Sequence, residues 1–395
     1  MLTGLLEFPM IQNCLFYSFV FLVLFSCKET TYLDPLPRKY SNSMTLNPTD
    51  TLVIPIGFKS NVYSRYVKSC LINDIPYLGV VNENTNELEF YALSDNGDDF
   101  NVSFNLDGPN AVGQLKAFEV ISDSTLLIAS SYRVRLYITD FKGNLKKTII
   151  TDNIDRKGKP FVQIYYTFQP LIFNKTKQDA FVFTRVDWDY NAPGQWSGTM
   201  FLKISDLHSE SSKHLFEVPP YFNDFIHGAY FCHSSHILMD KRYLVLGIPF
   251  YNNLMVYDLE NNKMIEKSAG SIHFGDALPW DSPGMDGHEE FYVTSNSYRE
   301  LAYDEQNKLL YRLAYRKVDY TGPDGLRRNW DNKLPSVIII NSDFEKVGEV
   351  DLPVNTIYTR MYFTHDGKLY LSLNHPDNSP SEDEMVFVGY KPEKL

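Results

Sequence analysis

The first 26 residues contain no lysine and no arginine, and Glu7 is their only charged side chain. The whole chain is sparing in other ways. It has 4 cysteines in 395 residues, too few for a disulfide framework. Its net charge is −12 and no run of basic residues interrupts it, which excludes non-specific nucleic-acid binding. Its longest uncharged apolar stretch is too short to span a bilayer comfortably as a helix. Beyond residue 40 no segment keeps a long helical period. G-x-S-x-G, the phosphate-binding loop, C-x-x-C and the dinucleotide fingerprint are all missing. No cofactor and no metal is therefore expected from motifs.

The N-terminus nevertheless has a legible pattern. Residues 14–25, CLFYSFVFLVLF, are twelve without a charge and suit a signal-peptide core. They run into Leu24-Phe25-Ser26-Cys27, with a bulky aliphatic residue three before the cysteine and a small one just before it. This resembles a bacterial lipobox, which implies cleavage before Cys27 and diacylation of its thiol. A positively charged start is usual for such a segment and is absent here. Initiation at Met10 would remove Glu7 and leave only the amino terminus positive. The competing reading is a buried N-terminal strand. Cleavage before Cys27 would leave a net charge of −11, because Glu7 leaves with the peptide. Two or more acyl chains give stable membrane anchoring. Residues 1–26 are thus expected to be a signal peptide, and 27–40 a lipidated cysteine and a proline-bearing tether. Residues 41–395 are expected to form one domain. Lys28-Glu29 is the only charged pair after the cysteine, so periplasmic and surface placement both stay open.

The body of the chain is a series of short runs rich in Val, Ile, Leu, Tyr and Phe, broken by Asp, Asn, Gly and Lys turns. Residues 116–151 are the clearest unit: KAFEVI, TLLIASS, RVRLYIT and LKKTIIT, joined by short turns. Four antiparallel strands with short turns make one propeller blade. The third strand and its turn recur as LYITDFKGN (136–144), FLKISDLHS (201–209), MVYDLENN (255–262) and IIINSDFEK (338–346). FYALSDNGD, with Asp95, is a weaker copy. Asp140, Asp206, Asp258 and Asp343 are read as turn formers that accept hydrogen bonds from their own turn amides.

Six blades result, near 59–108, 109–155, 156–222, 223–272, 289–354 and 355–395. A seventh within 265–300 would be poorly formed. The last blade has only three strands, which leaves an open edge. TLVIPI, residues 51–56, can fill it. The expectation is an all-β, six-bladed β-propeller closed by an N-terminal strand that completes the last blade. Cys70 then lies on the innermost strand of blade one and Cys232 near that of blade four, on opposite sides of the channel. Two free, mostly buried thiols are expected, because a disulfide needs Cα atoms within about 7 Å.

The two faces of such a propeller are unequal. First-to-second and third-to-fourth strand turns are short. The opposite face carries 186–198, 268–291, 319–335 and 374–384, long enough to be functional. All 4 tryptophans sit there, Trp188, Trp196, Trp280 and Trp330, with His273, His288 and His375. These loops are expected to fold over the channel mouth as a lid or rim. Their rings either anchor a glycan, a peptide or an envelope protein, or pack on one another. Arg299 and Arg360, near the starts of the inner strands of blades five and six, either bind an anion in the channel or pair with nearby acids.

Enzymatic chemistry has less support. His233 and His236, three apart on a strand, point to opposite faces and do not chelate together. His288-Glu289-Glu290 lacks the second histidine of a zincin and is not expected on a helix. Asp95–Asp99 lacks the closing glutamate of a calcium loop. Asp276, Asp281, Asp286, Glu289 and Glu290 could serve a glycan hydrolase or lyase together with the histidines of 273–290, by position only. A binding or scaffolding module is the preferred reading.

The lipobox, the blade pattern and a length near 400 residues together resemble Bacteroidetes lipoproteins with six-bladed, TolB-like propellers, in particular the domain-of-unknown-function 4221 family. The resemblance implies a fold and an envelope location, most simply the outer membrane. It brings no catalytic residues.

Overall fold

The structure is a computed structural model that describes residues 41–130, 135–150, 161–162, 165–186, 189, 191–194, 196, 198, 201–205, 207, 211–227, 231, 233–274 and 286–395. Cys27, Trp188, Asp206, Cys232, Asp276, Trp280 and Asp281 lie outside them.

Strand β1 is Met44–Pro55. Blade one is β2 (Val67–Ile72), β3 (Ile75–Asn82), β4 (Glu87–Ala92) and β5 (Phe100–Ser103). Blade two is β6 (Leu115–Ser122), β7 (Thr125–Ser130), β8 (Arg135–Thr139) and β9 (Leu145–Ile150). A two-residue strand, β10 (Phe161–Val162), precedes blade three, which is β11 (Ile172–Asn174), β12 (Asp179–Phe183), β14 (Phe201–Ser205) and β15 (Ser211–His214). Strand β13 (Arg185–Val186) pairs with β10 as a separate ribbon. Blade four is β16 (Ser235–Met239), β17 (Tyr243–Gly247), β18 (Asn253–Asp258) and β19 (Lys263–Ser268). Blade five is β20 (Ser297–Asp304), β21 (Leu309–Arg316), β22 (Leu334–Ile340) and β23 (Lys346–Asp351). Blade six is β24 (Tyr358–His365), β25 (Lys368–Ser372) and β26 (Glu384–Lys394). All six sheets are four-stranded and antiparallel, and together they make a six-bladed propeller.

Central strands are buried on both faces because each blade is sandwiched between its neighbours. β12, DAFVF, and β18, NLMVYD, are buried at every residue. This explains continuous apolar runs where a half-exposed sheet would alternate. Gly79 on β3 shows how close the blades come. A side chain there would fall 2.2 Å from the ring of Phe118 in blade two. The Tyr66 hydroxyl donates to the Phe118 carbonyl at 3.0 Å across the same seam.

The ring closes as the strand count requires. The sheet order of blade six is β1-β26-β25-β24, so β1 is its outer edge. The expected closing strand, 51–56, is the second half of a longer one. Pairing with β26 runs from Met44↔Lys394 to Pro55↔Glu384, with a register shift between Pro48 and Thr51. Asp50 in that bulge accepts from the Lys368 ammonium and the Tyr370 hydroxyl, each at 3.0 Å.

Turn chemistry follows the sequence in two copies and departs from it in two. Asp140 accepts from the Lys142 and Asn144 amides at 3.0 and 2.9 Å, and Asp258 from those of Glu260 and Asn261 at 2.9 and 3.2 Å. In blade five Asn341 takes this role, accepting from the amides of Asp343 and Glu345 at 3.0 and 2.8 Å. Asp343 sits two residues later in the same turn, so this copy is shifted in phase by two. In the weak copy Asp99, not Asp95, accepts from the Ala92 amide at 2.8 Å. Cys70 is a free, half-buried thiol on β2, and burial pushes it up to about 12.

Candidate functional site

The channel is not an open pipe. Residues 165–170, just before β11, cross it as a plug. The Thr167 amide donates to the Arg65 carbonyl at 2.9 Å, and the Val67 amide donates to the Thr167 hydroxyl at 3.1 Å. On the opposite side, the His236 amide donates to the Phe168 carbonyl at 3.0 Å, and His236 Nε2 lies 2.9 Å from the Pro170 carbonyl. Blade one and blade four are thus tied to each other through the axis. His236 is buried and stacks on Phe183 at 5.1 Å, which leaves it structural.

Below the plug, toward the short-turn face, lies a cavity of about 690 Å³. Its wall comes from the inner strands and includes Lys68, Cys70, Glu119, Tyr303 and Thr364. Lys68 forms an ion pair with Glu119 and also donates to the Leu171 carbonyl at 3.2 Å. Loop length favours the opposite face, and nothing local in the sequence marks this cavity. The plug walls the cavity off from the long loops, and its residues carry no motif.

Above the plug, the loop face brings together part of the predicted set. Arg299 is the third residue of β20 and Arg360 the third of β24, so both stand at the loop end of the channel. Each lies in a register irregularity, Tyr298/Leu301 on β20 and Tyr358/Tyr362 on β24. Bulges of this kind re-aim side chains. The Arg360 guanidinium carbon sits 3.3 Å from the ring centre of Trp330. That of Arg299 lies 4.6 Å from Phe168 and 5.6 Å from Trp330. Tyr166 stacks on Phe168 at 4.9 Å and meets His233 edge-on at 5.8 Å. Burial holds His233 well below its usual range, and Arg185, Arg299 and Arg360 reinforce the shift.

Two acids border the cluster. Glu300 is fully buried, accepts from the Tyr315 hydroxyl and lies 3.8 Å from Arg299. Burial raises its carboxyl, against the pull of Arg299. Asp331 is raised to about 7, again by burial, with Arg360 and Arg299 opposing. Arg360 itself is lowered, first by burial and then by Arg299.

The loop carrying Trp330 is locked in place. Trp330–Asn332 is a single 3-10 turn with a reciprocal cap between Asn329 and Asn332. Asn332 reaches Asp377 at 2.8 Å, and His375 Nε2 lies 3.2 Å from the Asp331 carbonyl. Lys333 is buried and donates to the Tyr292 and Ser295 carbonyls at 2.9 and 2.6 Å and to the Ser297 hydroxyl at 2.8 Å. The described parts of two long loops therefore form a built rim.

The other predicted residues do not join this cluster. Trp196 is 2% exposed and packs edge-on against Phe250 at 5.9 Å, so its ring serves the core. His273 pairs with Asp351 at 3.0 Å, and Arg316 reaches the same carboxylate at 3.1 Å. His288, Glu289 and Glu290 open a short helix, α1 (His288–Val293), where no helix was expected. The zincin reading fails regardless, because Tyr292 stands where the second histidine belongs. Among the described residues no group of three or more His, Cys, Asp or Glu could hold a metal ion. No helix among them is long and apolar enough to cross a membrane.

Asp331, Tyr166 and Phe168 escaped notice in the sequence. Asp331 sits beside Trp330, and that adjacency was the one available signal. The plug residues look like ordinary strand.

Comparison with known proteins agrees with the architecture. A solved structure of a DUF4221 member from Bacteroides vulgatus is 20% identical, with a TM-score of 0.73, covering 90% of this chain and 100% of its own. A Bacteroides fragilis structure, provisionally named an exported protein, is 10% identical with a TM-score of 0.54, covering 90% and 99%. No curated protein matches the chain. The family described as Domain of unknown function (DUF4221) matches residues 43–351, more than half of the sequence, and with six closed blades in place the chain belongs to that family.

Proposed function

We propose that this chain is a lipid-anchored envelope module that binds its ligand through the loop face of the propeller. One observation carries the reading: the Trp330–Asn332 turn is held rigidly over the channel mouth by side-chain hydrogen bonds to neighbouring loops, beside two arginines. Ordering a surface loop costs about 1–2 kcal/mol per residue in backbone entropy alone. A preorganised rim of aromatic and cationic groups is what a recognition surface needs. A fold by itself says nothing of this, since propellers host unrelated functions.

Arrays of glycans and peptides probed with the purified protein test the binding role. A defined subset of spots should light up, and Trp330→Ala should weaken them roughly tenfold, the size of one aromatic anchor. Equal signal from Trp330→Ala removes the support for this face. The anchor rests on Leu24-Phe25-Ser26-Cys27, and the exported-protein name of the Bacteroides fragilis neighbour is consistent with it. Cells fed a clickable palmitate analogue should label the parent and not Cys27→Ala. Equal labelling of both sinks the lipoprotein reading.

A further inference from the structure

We propose that Arg299 and Arg360 form a binding site for a single carboxylate at the loop-face mouth of the channel, and that a hexuronate is the class of ligand that supplies it. The inference rests on the loop face being the recognition surface, and it names the chemistry recognised there.

Arg299 is only 7% exposed, yet its Nε and Nη1 have no hydrogen-bond partner. Arg360 Nε is likewise buried without one. Buried guanidinium N–H groups left unpaired cost more than ordinary unmade hydrogen bonds, because the donor is charged. Arg299 also stands close enough to disfavour the charge of Arg360. Proteins keep such an arrangement where something binds. The carboxylates at hand do not meet the need. Glu300 Oε1 faces Arg299 Nε at 3.8 Å, beyond hydrogen-bond reach, while Tyr315 engages Oε2, and no hydrogen bond joins Asp331 to either arginine among the described residues.

The same geometry recurs in two adjacent blades. SYRELAYD and YTRMYFTH both place arginine third, and both inner strands break register around it. Repetition at one height brings both guanidiniums to the same ring, that of Trp330, at 5.6 and 3.3 Å.

Charge and shape select the ligand. Two guanidiniums opposed by Glu300, and in part by Asp331, leave room for at most one further negative charge. A phosphate dianion would meet about twice the repulsion from Glu300 and Asp331 that a monocarboxylate meets. A planar carboxylate also matches the guanidinium fork. The half-buried rings of Tyr166 and Trp330 border the site and suit the apolar face of a sugar.

Calorimetric titration of the full chain in detergent tests this with sodium galacturonate, galactose, sodium phosphate and an acetylated dipeptide bearing a free C terminus. Galacturonate should bind saturably, while galactose and phosphate should not. Arg360→Gln should weaken it at least about tenfold, the loss expected for one charge-assisted fork. Arg299→Lys, which keeps the charge and loses the fork, should also weaken it. Unchanged melting temperatures would show that the variants are folded. Binding of galactose and galacturonate alike, or full binding by a folded Arg360→Gln, overturns the carboxylate site. Binding of the dipeptide in preference to galacturonate overturns the sugar assignment. If array binding survives and stays sensitive to Trp330→Ala while galacturonate fails to bind, only this inference falls. Loss of both removes the recognition reading as well.

Discussion

Arg312→Met is expected to destabilise the propeller by at least about 2 kcal/mol, the low-end cost of depriving the Ala269 and Tyr251 carbonyls of the Arg312 donors, since those of Ile248 and Asn252 keep the backbone amides of Tyr251 and Ala269 at 3.1 and 3.3 Å. Arg312 lies mid-strand in β21 and is fully buried. Its Nη1 donates to the Asn252 and Ala269 carbonyls at 2.8 and 3.1 Å, and its Nη2 to those of Ile248 and Tyr251 at 3.3 and 2.6 Å. The guanidinium also lies 3.6 Å from the ring centre of Tyr298. One side chain thus bolts the loop-face turns of blade four to blade five. Burial lowers its pKa to about 10, so it stays charged at neutral pH. Methionine keeps much of the volume and meets none of the carbonyls. Thermal unfolding should shift down by roughly 4 °C or more, using about 2 °C per kcal/mol for a large domain. Arg312→Lys should fall in between, since an ammonium has three donors and no planar fork. A shift below about 2 °C for Arg312→Met would mean that the carbonyls find water and that the bolt is unimportant.

Removing β1 should be more damaging still. The strand supplies the outer edge of blade six and buries Leu46 and Ile54. Those two side chains alone represent about 3–6 kcal/mol of apolar burial. The ladder with β26, ten paired positions from Met44 to Pro55, is lost as well. The total approaches the whole stability margin of a domain, about 5–15 kcal/mol. Deleting residues 41–56 also bares β26, whose Val386 and Phe387 are buried in the closed ring, and an open edge of that composition templates association. Size-exclusion chromatography should show oligomers or aggregate larger than the parent protein. Ile54→Asp, which keeps the strand and buries a charge, should show the same tendency more weakly. A synthetic peptide of residues 41–56 should restore the parent's elution if the fault is an open ring. A cooperatively melting deletion variant that elutes with the parent would show that β1 is an accessory.

How far the sequence could be read depended on whether the signal was local. Blade limits came through because strand length and turn residues are set by neighbours in the chain. Each of the six sheets falls inside its expected span. The need for a closing strand came through by counting, since three strands in 355–395 leave an edge. Turn formers came through where the motif was in phase, as at Asp140 and Asp258, and failed at Asp343 because Asn341 does the same work two residues earlier. The short helix at His288 was missed because six residues are too few to show a period.

What tertiary structure decided is the fate of polar groups. Nothing local in LLYRLAYR marks Arg312 as buried. It is buried because a neighbouring blade covers the face it occupies, and no local pattern encodes that. Trp196 and Trp330 share a composition-based reading, yet one fills the core and the other rims the channel. The plug at 165–170 looks like another strand and instead crosses the axis. Arg299 and Arg360 are 61 residues apart and meet only when blades five and six stand side by side. Sequence alone therefore determined the fold, because backbone hydrogen bonding and apolar spacing are local requirements. The candidate site waited on the closed ring, because partner, burial and charge environment are properties of positions that the chain brings together from far apart.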